Sequence, residues 1–166
     1  MKSFRLYLYS LLTSIMPETR AFGFKRKMLG WAGAKIGNNV RICSSARIIG
    51  SGSLEIGDNT WIGPETFISA SSIIKIGANC DISPRVFIGD GTHEITPDRD
   101  RMADIETCRP IAIGDGCWIC ANSTILPGVT IGEKCVVASG AVVTHNFENQ
   151  LLLAGVPATI KKVLAK

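Results

Sequence analysis

A chain of 166 residues is long enough for one domain with a substantial buried core. Its 17 glycines and its content of 46% hydrophobic residues exclude an intrinsically disordered chain. The net charge of +4 is uneven: residues 1–41 carry eight basic residues against Glu18 alone, a net charge of +7, which leaves −3 for the rest. The basic character therefore belongs to the N-terminal segment. We expect no nucleic-acid partner.

Two helices are predicted at the N-terminus, over residues 2–16 and 18–29, with Pro17 between them and Gly30 at the end. We interpret residues 1–35 as a helical cap, because a solenoid needs a cover over its open first coil. The same segment can also contact an anionic membrane through apolar residues that accompany the basic cluster 25–27. Those apolar residues are Phe4, Tyr7, Leu8, Leu11 and Leu12.

The apolar stretch 6–16 is too short to cross a bilayer, and no cleavage site of the signal-peptide type follows it. We therefore expect a cytoplasmic location that includes peripheral contact with the inner face of the plasma membrane.

An aliphatic residue, often followed by Gly, recurs every six residues along most of the chain. The positions are Ile36, Ile42, Ile48, Ile56, Ile62, Ile68, Ile76, Ile82, Ile88, Ile113, Ile119, Ile125, Ile131, Val137 and Val143. This period is neither helical nor a simple strand alternation, and it indicates an all-β hexapeptide solenoid in which three hexads form one triangular coil. The run predicts about five coils. Two extra residues in the early coils, 54–55 and 74–75, are predicted to form corner loops.

Six cysteines are present, and Cys117 and Cys120 form a C-x-x-C pair. Cys80, Cys117 and Cys135 occupy the small inward position of their hexads, whereas Cys43 and Cys120 directly follow a core aliphatic residue. Each is interpreted as a small buried hydrophobic residue. No second pair completes a zinc site, so no metal is predicted. Unpaired cysteines indicate a reducing compartment.

The repeat is interrupted by one polar, charged segment, residues 94–112, which is predicted to be an inserted loop. Such a loop in a regular solenoid is usually functional. His93 directly precedes it and is predicted to point outward, beside a segment that can exclude water. His145, the other histidine, follows the last hexad and is interpreted as a surface residue. Residues 145–166 are predicted to leave the solenoid as a C-terminal tail.

Four aromatic residues share one outward strand position, directly before a core aliphatic residue. They are Trp61, Phe67, Phe87 and Trp118. An aromatic patch on a flat prism face indicates a partner surface. Another copy of the chain is the simplest partner, and a cyclic homo-oligomer would create clefts between its subunits.

Several segments resemble hexapeptide-repeat acetyltransferases of the sugar and polysaccharide type. They are residues 89–99, which include His93, and residues 110–119, 126–132, 140–144 and 154–158. Residues 29–37 are closer to the polysaccharide O-acetyltransferase branch. The resemblance implies a left-handed parallel β-helix, an exception to the usual right-handed crossover. It also implies an acyltransferase domain over residues 36–166, a homotrimer, and acetyl-CoA as acyl donor in the clefts between subunits.

Applied to individual residues, the resemblance implies that His93 is the general base, which takes the proton from an acceptor hydroxyl. Glu106 matches a glutamate that can orient His93, with an ordinary loop carboxylate as the alternative. Matches to acetyl-CoA contacts are Trp118, Ala121, Ser139, Thr144, Lys161 and Lys162. For the two lysines a solvated tail is the alternative.

The acceptor region departs from the family pattern. Simple sugar acetyltransferases carry an Asn-rich stretch where this chain has Gly63, Pro64 and Glu65. Glu65 is therefore the candidate residue for a different acceptor. The usual lysine after Thr144 is replaced by His145.

The resemblance implies an acetyl-CoA-dependent O-acetyltransferase that acts on a sugar hydroxyl of a bacterial surface polysaccharide or its precursor. The alternatives are an antibiotic or small-sugar acetyltransferase, a nucleotide-aminosugar N-acetyltransferase, and a catalytically silent hexapeptide scaffold. A zinc carbonic anhydrase of this fold is excluded, because three sites in a trimer need nine histidines and two per chain supply six.

Overall fold

The first three coils of the solenoid follow directly after the N-terminal helices in the computed structural model, which describes residues 1–164. Each coil contains three short strands, one on each face of a triangular prism. The strands are β1 (Lys35–Ile36), β2 (Arg41–Ile42) and β3 (Arg47–Ile49), then β4 (Ser53–Ile56), β5 (Trp61–Ile62) and β6 (Phe67–Ser69), then β7 (Ile73–Ile76), β8 (Asp81–Ile82) and β9 (Phe87–Gly89).

An antiparallel hairpin then leaves the solenoid, and two further coils follow it. The hairpin consists of β10 (Gly91–Ile95) and β11 (Ala103–Cys108). The later strands are β12 (Ile111–Ile113), β13 (Trp118–Ile119), β14 (Thr124–Ile125), β15 (Thr130–Ile131), β16 (Val136–Val137), β17 (Val142–Val143), β18 (Leu151–Gly155) and β19 (Ala158–Val163). The segment predicted as a loop is therefore an antiparallel hairpin whose register shifts between His93 and Ile95. It ends before residue 111, because Ile111 already lies buried in β12.

The strands stack into three parallel faces. Face A contains β1, β4, β7, β12 and β15; face B contains β2, β5, β8, β13, β16 and β18, with β19 paired antiparallel at its end; face C contains β3, β6, β9, β14 and β17. The predicted parallel solenoid is thus confirmed. Ile56, Ile76 and Ile113 are direct partners on face A, and the repeated aliphatic residues of all three faces line the core. Each fully buried aliphatic side chain contributes about 1.5–3 kcal/mol.

The corners explain why Gly so often follows the core aliphatic residue. A Cβ atom added at Gly57 would lie 2.5 Å from the backbone nitrogen of Ala78 on the next coil. The corners between faces A and B also place Asn39, Asn59 and Asn79 at positive φ. Their side-chain amides form a ladder with distances of 3.1 and 3.2 Å between donor and acceptor.

Two sequence predictions about the coils are wrong. The extra residues of the early coils lengthen β4 and β7 instead of forming corner loops, and Leu54 and Ile74 are fully buried. The segment after residue 145 also does not leave the solenoid at once. Phe147 bridges Ile131 in parallel, and β18 extends face B, so a partial sixth coil follows the five complete ones. The buried residues of this partial coil are Phe147, Leu151 and Leu153. Their positions do not keep the six-residue interval that the sequence prediction used.

The N-terminal helices are α1 (Ser3–Ser14) and α2 (Phe22–Trp31). Leu6 and Tyr9 of α1 and Leu29 of α2 join the solenoid core, and the helices pack against strands of the first coil. The second helix begins later than predicted, and it continues through Gly30. Neither helix in the described part of the chain is long and apolar enough to cross a membrane.

Lys25 is buried, which corrects its assignment to a basic surface cluster. Its Nζ donates hydrogen bonds to the carbonyl oxygens of Glu18, at 3.0 Å, and Ile42, at 3.1 Å. Burial lowers the pKa of Lys25, and the neighbouring Cys43 and Glu18 act in the opposite direction. This side chain therefore fastens α2 to the first coil instead of facing solvent.

Candidate active site

His93 lies on the hairpin that projects from the third coil. It stands opposite Glu106 in the β10–β11 ladder, and both residues are exposed. Directly opposed residues of an antiparallel pair have Cβ atoms roughly 4.5–5.5 Å apart and side chains on the same face. Within the described residues no hydrogen bond joins the two side chains. The hairpin thus makes the imidazole and the carboxylate neighbours while both stay open to solvent.

The surface beside His93 is a shallow depression of about 350 Å³, lined by Thr92, His93, Glu94, Ile95, Met102 and Ala103. The side chains of Ile95 and Met102 are well exposed there. An imidazole at the rim of an apolar depression can meet a polar group of a ligand whose carbon skeleton lies on the apolar residues.

Trp118 stands on the outer side of face B and leaves 52% of its surface exposed. Its Nε1 donates a hydrogen bond to Ser83 Oγ at 3.1 Å, which fixes the plane of the indole. Ser83 was not singled out from the sequence, because its partner is 35 positions away and no local pattern links them.

Ala121 and Ser139 lie at the corner between faces B and C, one coil apart. The backbone nitrogen of Gly140 donates to the carbonyl oxygen of Ala121 at 3.0 Å, so the two turns stack. Trp118 directly precedes this corner on the chain. The indole and the two turns therefore form one continuous strip on a single edge of the prism.

Lys162 extends this strip toward the C-terminus. On face B, Trp118 pairs with Val136, Val136 with Leu152, and Leu152 with Lys162. Lys161 lies at the irregularity in the β18–β19 ladder, and both lysines are exposed. An aromatic surface that leads to two ammonium groups has the chemistry to hold an apolar chain ending in phosphates.

Thr144 belongs to a different edge, the corner between faces C and A from which the hairpin also leaves. Its Oγ1 lies 2.9 Å from Nδ1 of His145, and the His145 ring packs at 4.6 Å from the ring of Phe147. The structure therefore groups Thr144 with the edge that carries His93. It does not bring Thr144 to Trp118 within one chain.

Glu65 lies on the edge of Ala121 and Ser139 and not beside His93. Its φ is +56°, its backbone nitrogen donates to Ser45 Oγ at 2.9 Å, and Oε2 lies 4.0 Å from Nε of Arg85. Within one chain, face C thus separates Glu65 from the imidazole.

The four outward aromatic residues do not form one patch, which corrects the sequence interpretation. Trp61 and Trp118 lie on face B, whereas Phe67 and Phe87 stack on face C with 5.7 Å between ring centroids. Phe22 of α2 packs edge-on against Trp61 at 6.1 Å and partly covers it. A shared strand position does not specify a shared face, since successive hexads belong to different faces.

All six cysteines are free, and only Cys108 is exposed. Cys117 Sγ donates to the carbonyl oxygen of Gly132 at 3.0 Å and accepts from the backbone nitrogen of Cys135 at 3.4 Å. Burial raises the pKa values of the Cys120 and Cys135 thiols. No cluster of three or more His, Cys, Asp or Glu side chains suited to a metal ion occurs in residues 1–164.

Residues 110–145 match the family model described as bacterial transferase hexapeptide (six repeats). The galactoside O-acetyltransferase of Escherichia coli is 41% identical over 51 residues, which are 31% of this chain and 25% of that protein. The galactoside O-acetyltransferase of Lactococcus lactis is 32% identical over 76 residues, 45% of this chain and 36% of that protein. The chain thus spans only about a quarter to a third of these curated relatives.

The hexapeptide-repeat acetyltransferase of Vibrio cholerae, solved in complex with acetyl-CoA, has a similar structure over nearly the whole chain. The TM-score is 0.76 at 26% identity, covering 99% of this chain and 87% of that one. The solenoid geometry, the repeat match and these relatives agree, and the chain is similar in repeat and fold to hexapeptide-repeat acetyltransferases.

Proposed function

We propose that the protein is an acetyl-CoA-dependent O-acetyltransferase that acetylates a sugar hydroxyl of a bacterial surface polysaccharide or its precursor. The observation that carries the proposal is the exposed imidazole of His93 opposite the Glu106 carboxylate, at the rim of an apolar depression. The Escherichia coli and Lactococcus lactis relatives are galactoside O-acetyltransferases, which supports a hydroxyl acceptor. The Vibrio cholerae protein was solved with acetyl-CoA, which supports this donor.

His93 is the proposed general base. In its neutral form the imidazole has a ring nitrogen that can accept the proton of the acceptor hydroxyl. One imidazole nitrogen must be the acceptor, so the other carries the N–H, and the nearby Glu106 carboxylate favours the tautomer that directs this N–H toward it. After the transfer, the carboxylate also stabilises the positive charge on the ring.

Acetyl-CoA, when bound, supplies the acetyl group as a thioester. The residues fit such a donor because the strip from Trp118 to Lys162 joins an aromatic surface to cationic groups. The indole would hold the apolar part of the donor, the turns at Ala121 and Ser139 would contact its amides, and Lys161 and Lys162 would pair with its phosphates.

A homotrimer is part of the proposal. The strip with Trp118 and the edge with His93 lie on opposite sides of face C within one chain, so a single copy does not assemble them. Threefold symmetry would place the His93 edge of one subunit against the Trp118 strip of the next. Thr144 would then approach the donor, and Glu65 the acceptor, from neighbouring subunits.

Peripheral contact with the anionic inner face of the plasma membrane is also proposed. Phe4, Tyr7 and Leu11 of α1 are more than half exposed, and Lys2 and Arg5 belong to the same segment. An apolar helix face with adjacent cations binds anionic interfaces. Such contact would place the enzyme near lipid-linked polysaccharide precursors.

The test is incubation of the full chain with acetyl-CoA and a panel of acceptors, with measurement of free thiol and of acceptor mass. The panel contains purified surface polysaccharide, maltose, p-nitrophenyl β-D-galactopyranoside, a nucleotide-linked aminosugar and an aminoglycoside. Thiol release with acetylated polysaccharide is expected. Transfer only to an amine would contradict the assignment as an O-acetyltransferase. Transfer only to maltose, the galactoside or a hydroxyl of the aminoglycoside would contradict the assignment of a polysaccharide as the acceptor. Transfer to no member of the panel would favour a catalytically silent scaffold.

A further inference from the structure

The hairpin that carries His93 is attached to the solenoid only through its base. Its two strands form a separate two-stranded sheet, and no solenoid strand in the described residues pairs with either of them. The orientation of the imidazole relative to the prism therefore depends on the residues where the chain leaves and re-enters the third coil.

Asp90 is the residue at which the chain leaves the coil, and it is completely buried. Its Oδ1 accepts a hydrogen bond from the backbone nitrogen of Ser71 at 2.7 Å, and its Oδ2 accepts from that of Ser72 at 2.8 Å. Both donors belong to the corresponding corner of the preceding coil. The carboxylate thus takes the place of the turn that other coils form at this corner.

The backbone of Asp90 ties the two ends of the hairpin together. Its nitrogen donates to the carbonyl oxygen of Ser69 at 3.2 Å, and its carbonyl oxygen accepts from the nitrogen of Arg109 at 2.8 Å. Arg109 is in turn bonded to the following coil, since its carbonyl oxygen accepts from the nitrogen of Gly128 at 3.1 Å. The base of the hairpin is therefore connected to the coils on both sides.

We propose that Asp90 is a positioning residue that holds the His93 hairpin in its working orientation, an inference that rests on the proposed function of His93. Two converging N–H donors require a group with two acceptor oxygens and no donor, which only a carboxylate supplies. Charge-assisted bonds of this length in a buried place are stronger than neutral ones. His93 follows three residues later, about 10 Å away along an extended chain, so a small rotation at Asp90 displaces the imidazole.

The test replaces Asp90 by Asn, which presents an amide N–H₂ to one of the two backbone donors. The matched control is Asp58→Asn, because Asp58 Oδ1 accepts from the backbone nitrogen of Asn38 at 2.6 Å at a corner remote from the hairpin. Both variants lose one carboxylate that bonds to the backbone. Amide hydrogen exchange, thermal unfolding, and kinetics with acetyl-CoA and the best acceptor of the panel are measured for each.

In Asp90→Asn, we expect the hairpin amides of residues 91–108 to exchange at least about tenfold faster than in Asp58→Asn, while the solenoid amides stay protected. We expect kcat to fall at least about tenfold with the KM for acetyl-CoA within about twofold of wild type. Should Asp90→Asn fail to fold, Asp90→Ser, which keeps one acceptor oxygen, is measured in the same way.

Equal hairpin exchange in the Asp90 and Asp58 variants would show that Asp90 does not hold the hairpin. If the hairpin amides of the Asp90 variant exchange faster but its kcat equals that of the Asp58 variant, Asp90 does not position His93 for catalysis. If the wild-type protein acetylates no member of the panel, the proposed function fails instead. In that event the exchange comparison still decides whether Asp90 fixes the hairpin.

Discussion

His93 and Glu106 are direct cross-strand partners in a hairpin that stands apart from the solenoid. Their pairing joins positions 93 and 106 across the turn at 96–102, so neighbouring coils do not determine it. The relationship supplies the geometry in which a carboxylate can orient an imidazole.

Substitution of His93 by Ala should abolish most of the turnover and leave donor binding intact. Loss of a general base lowers rates by about 10²–10⁴-fold, whereas the proposed donor contacts other than Thr144 lie on another edge. Thiol release measured with acetyl-CoA, and acetyl-CoA affinity measured by calorimetry, check this. His145→Ala is the control and should change neither quantity much. Retention of more than about a tenth of wild-type turnover in His93→Ala would contradict the assignment.

Glu106→Gln should lower kcat by about tenfold, equivalent to about 1.4 kcal/mol, because the neutral amide stabilises the imidazolium less well. The control is Glu133→Gln, which removes an exposed carboxylate between β15 and β16, at the corner between faces A and B and away from the hairpin. Equal rates in the two variants would mean that Glu106 is an ordinary surface carboxylate. Thiol release with acetyl-CoA and the best acceptor of the panel measures kcat for both variants.

Sedimentation at micromolar concentration should show a trimer of the 17.8 kDa chain. Phe87→Asp should shift it toward monomer, since Phe87 leaves 38% of its surface exposed on face C. Ile73→Asp, at 40% exposure on face A, is the matched control and should stay trimeric. A folded wild-type monomer at this concentration would reject the trimer and the shared site.

A thiol reagent should label one cysteine in the native protein and six after unfolding, because only Cys108 is exposed. Burial raises the pKa of the Cys43 thiol to about 11 and also raises the pKa values of the Cys120 and Cys135 thiols, so these three thiols stay protonated in the fold. Cys108→Ser should remove the native reaction. Stoichiometric zinc that disappears in Cys117→Ser would overturn the assignment of Cys117 and Cys120 as packing residues.

Phe4→Ser combined with Leu11→Ser should weaken binding to vesicles that contain phosphatidylserine. Both side chains are exposed, so the melting temperature should change little. Val156→Ser, equally exposed but remote from α1, is the control. Cosedimentation at fixed salt, repeated with phosphatidylcholine vesicles, measures the electrostatic contribution. Unchanged binding of the double variant to anionic vesicles would leave only the packing role of the helices.

The period of six was sufficient to predict the solenoid and its core. A strand alternates its side chains between the two sides, so each repeated Ile or Val had to point inward, and the inward cysteines followed from the same register. The burial of Ile62, Val137 and Cys80 agrees with that reasoning. The same local rule correctly left His93 and Trp118 outside the core.

Only the tertiary structure decided which outward residues are neighbours. The repeat is the same on every face, so it cannot tell that Phe87 stacks on Phe67 while Trp118 stands on another face beside Ser83. Burial of Lys25 and of Asp90 likewise depends on carbonyl and N–H groups from distant coils. Periodicity specifies the direction of a side chain within its own coil, whereas contacts between edges, helices and the hairpin depend on how the chain closes over long separations.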